Sequence, residues 1–229
     1  MLSTFVAAVA IRYLRPDEAS VAIGGMYLWL GYAGVLGYIG VFGDPALRPP
    51  GPAFVLIPVF LFVFLFLARS APAARIAASI PLGLLMGAQV FRVGVELFLY
   101  RLWHAGLAPH MLTFEGANFD ILIGLSAPVV AWLHATGRMG ERPALAWNGL
   151  GIAMLANVAV RAMLTAPGLF HLITTDLPDR AIGIFPFTYI PGFMAPLGLT
   201  LHVLAIRALR AKLRMRTAQR PHPRKPQAE

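Results

Sequence analysis

The sequence predicts an all-α protein: an integral membrane bundle of about six transmembrane helices with the N- and C-termini in the cytoplasm. Three observations carry this expectation. Of 229 residues, 58% are hydrophobic and only 13% charged, about half the charged fraction of a soluble domain. The apolar residues gather in six runs, most of them close to the roughly 20 residues that a helix needs to cross a hydrocarbon core. The runs are continuous rather than alternating in polarity, so helices and not barrel strands satisfy the backbone inside a bilayer.

The first fifteen residues, MLSTFVAAVAIRYLR, are apolar but short. They lack the small-residue cleavage pattern of a secretory signal, and form either a surface-lying helix or an extension of the first span. Asp17, Glu18 and Ser20 suit the first turn of a helix. The first span covers about 20–42 and carries Gly31, Gly34, Gly37 and Gly40, with Gly24 and Gly25 before them. Glycines at such spacing let helices approach closely. They offer a face for packing within the bundle or for a membrane partner subunit. GDPALRPPGP cannot continue a helix.

The second span, about 53–68, holds no polar residue and is expected to face lipid. The third, about 76–100, contains Gln89, Arg92 and Glu96, and the fourth, about 118–133, opens with Asn118 and Asp120. The fifth, about 144–164, contains Asn148, Asn157 and Arg161. A short interfacial helix is expected around 169–174 in the connection that follows. The sixth span, about 182–209, carries Pro186, Pro191 and Pro196. Each proline removes a backbone donor and crowds the preceding turn, so the first half of this helix should be kinked or broken. Residues 210–229 read as a basic, disordered cytoplasmic tail that fixes topology and lies against anionic membrane lipid.

Charge orients the bundle. With the N-terminus inside, fourteen of the 19 Lys and Arg fall in cytoplasmic segments, three outside (Arg48, Arg101, Arg180) and two within spans (Arg92, Arg161). That bias is the positive-inside pattern. It places Glu96, Asn118, Asp120, Asn157 and Arg161 at similar depth on the extracytoplasmic side, with Arg92 near the middle. His171, Asp176, Asp179 and Arg180 fall in the last outer loop.

Ionisable residues within a span are costly and mark function by default. Gln89, Arg92 and Glu96 stand at i, i+3 and i+7, one face of a helix, and Arg92 and Glu96 are spaced to pair at i, i+4. One expectation is a bundle-locking ion pair, with Asp120 and Arg161 completing its network. The other is a ligand-binding pocket formed by Gln89, Arg92, Glu96, Glu115, Asn118, Asp120, Asn157 and Arg161. There Arg92 and Arg161 would serve as donors to a small anionic ligand or a lipid headgroup, since arginine suits bidentate recognition of phosphate or carboxylate. Asn118 also suits a helix cap, with Asp120 in the first turn. Glu115 and Asp120 admit a catalytic carboxylate pair in an enzyme acting on a lipid-linked substrate.

Other classes find little in the residues. There is no cysteine, hence no thiolate chemistry. His104, His110 and His171 are expected outside, and His134 and His202 toward the inside. No dense ligand spacing links them, and no metal, haem or other cofactor is expected. The excess of positive charge is concentrated in the tail without a folded module around it, so nucleic acid is not an expected partner. No phosphate-cradling glycine loop or serine-nucleophile elbow is present.

Phe91-Arg92-Val-Gly-Val-Glu96-Leu-Phe followed by Thr113-Phe-Glu115-Gly-Ala-Asn118-Phe-Asp120 resembles a family of small, multi-pass inner-membrane proteins of bacteria that have no assigned activity. The resemblance covers about the central third of the chain. It implies membership of such a family without implying a function.

Overall fold

A computed structural model describes residues 1–219 apart from 45, 50, 166–171, 178–180 and 182. The described residues are helices and turns with no strand. In chain order the helices are α1 (Leu2–Tyr13), α2 (Pro16–Tyr38), α3 (Ala53–Leu61), α4 (Ala71–Ser79), α5 (Leu82–Gly87), α6 (Phe91–His104), α7 (Asp120–Ala135), α8 (Glu141–Thr165) and α9 (Ala195–Ala218). Wider turns extend α3 through Phe62–Leu67 and precede α9 over Ile190–Met194, and one tight turn, Ala88–Val90, joins α5 to α6.

Among the described residues four helices are long and apolar enough to cross a membrane: Pro16–Tyr38, Leu82–His104, Glu141–Thr165 and Ile190–Ala218. Ala53–Leu67 with Ala71–Ser79 makes a fifth if that pair, bent by 83°, is one span. Helix α7, at 16 residues, is apolar but shorter.

Proline explains the main departures from the expected spans. The third span does not run through 76–100, because Pro81 interrupts it. A residue before proline is pushed out of the helical region, and Ile80 is extended, with φ −90° and ψ 129°. The helix restarts at Leu82 and runs to His104. The sixth span is broken as expected: residues 183–188 are turns and the helix begins only at Ile190.

Two carbonyls that proline leaves without their α-helical donor are taken up by α2. Pro58 has no N–H for the Phe54 carbonyl, which accepts from the Tyr32 hydroxyl at 2.9 Å. Pro196 has none for the Gly192 carbonyl, which accepts from Trp29 Nε1 at 2.5 Å. Trp29 and Tyr32 stand one turn apart, so one face of α2 completes both broken helices. The glycines of α2 and of the turn after it divide accordingly. Gly34 and Gly37 are buried against Tyr189 and Thr188, whereas Gly31 and Gly40 are exposed, with open space where a Cβ would stand.

The largest apolar core joins α3 and its extension, α4, α5, α7, α8 and α9 at one end of the bundle, through Leu67, Ala73, Leu85, Met86, Ala144 and Leu209 among others. Helix α1 is separate from α2 and packs Val9 and Tyr13 on this core. Ion pairs rim the same end: Arg75 with Glu18 at 3.2 Å and Arg216 with Glu141 at 2.6 Å. Arg207 donates to the carbonyls of Leu67 and Ser70, the second at 2.9 Å, placing a cation where the extended α3 ends and carbonyls lack donors. Two smaller clusters, around Leu99, Leu102 and Ala181 and around Leu36, Phe42 and Val55, close the other end.

Residues 210–218, expected to be disordered, continue α9 as helix to Ala218. The rest of the tail lies outside the described residues. So do 169–171 of the expected interfacial helix, and 172–174 are not helical. His171, Asp179 and Arg180 are likewise outside the described residues.

Candidate functional site: a buried polar centre beside an apolar cavity

Gln89, Arg92 and Glu96 share one buried face of the Leu82–His104 span, each no more than 2% exposed. Arg92 is not paired with Glu96. Its Nε donates to Asp120 Oδ2 at 2.6 Å and its Nη2 to Asp120 Oδ1, a two-pronged bond across helices. Two glycines permit it. A Cβ at Gly124 of α7 would meet Val93 and Arg92, with Val93 N at 2.9 Å, so α6 and α7 meet backbone to backbone where Asp120 begins its helix. A Cβ at Gly151 of α8 would fall onto the His202 ring of α9.

His202 is wholly buried and extends the network. Arg92 Nη1 lies 2.9 Å from His202 Nε2, and His202 Nδ1 lies 2.9 Å from Asn148 Oδ1. A guanidinium only donates, so Nε2 is the acceptor and Nδ1 carries the proton, which it gives to Asn148. The Asn148 amide in turn donates to the Ala144 carbonyl at 2.8 Å. Arg92 Nη2 also lies 3.5 Å from the Gly151 carbonyl. One chain of bonds therefore joins α6, α7, α8 and α9.

Glu96 has a different partner. Asn118 Nδ2 lies 2.8 Å from each Glu96 carboxylate oxygen and 3.0 Å from the Leu112 carbonyl. Asn118 Oδ1 accepts from Asp120 N at 3.1 Å. Asn118 is thus one residue before the cap position, which Phe119 occupies without a side-chain bond, and it ties the carboxylate of α6 to the start of α7. Gln89 donates to the Gly198 carbonyl at 3.0 Å, while its Oε1 is buried without a partner.

Three of the eight expected site residues are not brought into this centre. Glu115 sits on an exposed turn. Arg161 donates to Asn157 Oδ1 at 2.9 Å, and Asn157 donates to the Ala117 carbonyl at 2.8 Å. These two brace α8 against the loop before α7, apart from Arg92. Conversely, His202 and Asn148 belong to the centre. The signal for both was in the sequence, as polar side chains inside apolar runs, but depth counted along the spans set His202 too far inside. The broken start of α9 brings it level with Arg92.

Arg92, Glu96 and Asp120 line one side of a cavity of about 1230 Å³. Its other walls are apolar, from Val55 and Phe60 of α3, Leu155 and Ala159 of α8, and Ile190 and Leu199 of the α9 region. Phe60 of α3 and Ala156 of α8 both line it and are both exposed. The cavity therefore opens sideways between α3 and α8, as well as near Asp44 at one end of the bundle.

These features define an all-helical protein with at least four helices able to span a membrane and a buried, charged centre beside a mainly apolar cavity. The chain belongs to the family described as a domain of unknown function, DUF8737, whose match covers residues 51–210. This agrees with the resemblance to proteins of no assigned activity. The match spans α3 to α9 up to Arg210, and so contains the whole polar centre. No curated protein and no solved structure matches the chain.

Proposed function

We propose that the protein crosses the bacterial inner membrane six times with both termini in the cytoplasm, and that its cavity binds an amphipathic molecule drawn from the bilayer. The headgroup lies against Arg92, Glu96 and Asp120 and the hydrocarbon along the apolar walls. The observation that carries this is the cavity itself. At about 1230 Å³ it exceeds the roughly 300–1,000 Å³ of ordinary small-molecule pockets, and its lining is mainly apolar away from Arg92, Glu96, Asp120 and the exposed Asp44. A sideways opening suits a molecule that arrives through lipid. Arg75 of α4, the basic end of α9 and the acidic starts of α2 and α8 rim one end of the bundle, which favours alternating crossings with that end inside.

A free anion is a poorer occupant. Both prongs of Arg92 are bonded to Asp120, and an anion would have to displace a carboxylate already in place. An enzyme is less favoured, because Glu115 is exposed on a turn and Asp120 is ion-paired. The network from Asp120 to Asn148 also favours a second role for Arg92, bracing four helices, which is compatible with the first.

Native mass spectrometry on protein released from its own membrane tests the proposal. The wild type is expected to retain one amphipath per chain, and Ala159→Trp, which places an indole in the cavity, to lose it while keeping its assembly. Equal retention by both proteins, or none by the wild type, would overturn the proposal.

A further inference from the structure

The polar atoms at the cavity offer a ligand far more acceptors than donors. Arg92 has five N–H hydrogens. Contacts to Asp120, His202 and the Gly151 carbonyl engage four of them. Acceptors are in surplus. An ionised carboxylate has about four lone-pair sites, and among the described residues Glu96 receives hydrogens only from Asn118 Nδ2, which has two and also lies within reach of the Leu112 carbonyl. At least two Glu96 sites are open on a side chain that is 2% exposed and lines the cavity. Gln89 Oε1 is a further unpartnered acceptor. It lies just behind the cavity wall, 3.5 Å from where a Cβ on the lining residue Gly198 would stand.

Charge points the same way. Asp120 balances Arg92, whereas Glu96 has no cation within 4.0 Å among the described residues. Among the described residues no lysine and no second arginine lines the cavity, and Asp44 at its mouth is acidic. A buried carboxylate with open lone pairs and no counter-charge asks for a ligand that brings both.

We propose that the amphipath held in the cavity carries a primary amine, whose ammonium pairs with the Glu96 carboxylate. This rests on the amphipath reading of the cavity. An ammonium supplies three donors and one positive charge, matching the open lone pairs and the unbalanced carboxylate together. A quaternary ammonium brings the charge without a donor, an alcohol brings one donor without the charge, and a phosphate meets Glu96 as a like charge.

Those four headgroups on one chain length make the test. Wild-type protein in phosphatidylcholine nanodiscs is titrated with the alkylamine, the alkyltrimethylammonium, the alcohol and the alkyl phosphate, with binding read by native mass spectrometry against empty nanodiscs. The amine is expected to bind at least about tenfold tighter than the other three, the scale of one charge-assisted hydrogen bond. Glu96→Gln should remove that preference, and the wild-type ranking decides the matter even if that variant fails to assemble. Tighter binding of any other headgroup, or an amine preference that survives Glu96→Gln, would overturn the amine and leave the cavity reading standing. Absence of saturable binding for all four would overturn both.

Discussion

The Arg92–Asp120 pair makes the sharpest stability prediction. Replacing Arg92 by Met strips Asp120 of its counter-charge and His202 Nε2 of its donor in the same step. Both groups are almost fully buried, so the change leaves a buried charge and a buried acceptor without their protein partners. Breaking one partner of a buried ion pair costs about 3–5 kcal/mol, and Asp120→Leu should cost a similar amount by leaving Arg92 with only His202 and the Gly151 carbonyl. The double variant removes both charges and leaves mainly the His202 acceptor unsatisfied, a cost of about 1–3 kcal/mol. The singles then sum to about 6–10 kcal/mol against about 1–3 for the double, a coupling of at least about 3 kcal/mol. Ordinary polar contacts between membrane helices average only about 0.6 kcal/mol, so the two cases are well separated. The assay is unfolding of all four proteins in mixed micelles by added denaturing detergent, followed by circular dichroism. Coupling at or below that ordinary value would refute the pair as the joint of the bundle.

Two further predictions follow from the packing and the topology. Trp29→Phe removes the indole donor to the Gly192 carbonyl but keeps an aromatic ring, and should destabilise by about 1–3 kcal/mol in the same assay, whereas Gly31→Ala, with nothing within 4 Å of its new Cβ, should be neutral or stabilising; equal losses in both would show that α2 does not complete the broken helix. Because the chain has no cysteine, single cysteines report sidedness: in intact cells a membrane-impermeant maleimide should label Ala105→Cys, after α6, and not Ala135→Cys, at the end of α7, and the reverse pattern would invert the topology.

Much of the centre was legible from local patterns. The spacing of Gln89, Arg92 and Glu96 placed three buried groups on one face because helical period depends on the chain alone. The proline spacing of the sixth span likewise announced its broken start. Partner choice was not legible. Arg92 had Glu96 at a plausible distance along its own helix, yet Gly124 lets α7 come so close that Asp120 takes both prongs of the guanidinium. Arg161 shows the reverse case, a local partner in Asn157 where a distant one was expected. Pro81 shifted the third span by several residues, since one residue forced into extended backbone ends a helix that hydropathy alone would continue.

The sequence by itself determined that the protein is helical, where its apolar runs lie, and which ionisable side chains they bury, since these follow from the cost of exposing backbone and charge to hydrocarbon. Only the tertiary structure decided which charges meet. Close helix approach at Gly124 and Gly151 joined Arg92 to Asp120 and set His202 against α8. The same approach left Glu96 beside the cavity with lone pairs open, because complementarity across helices depends on relative rotation and depth that no single helix encodes.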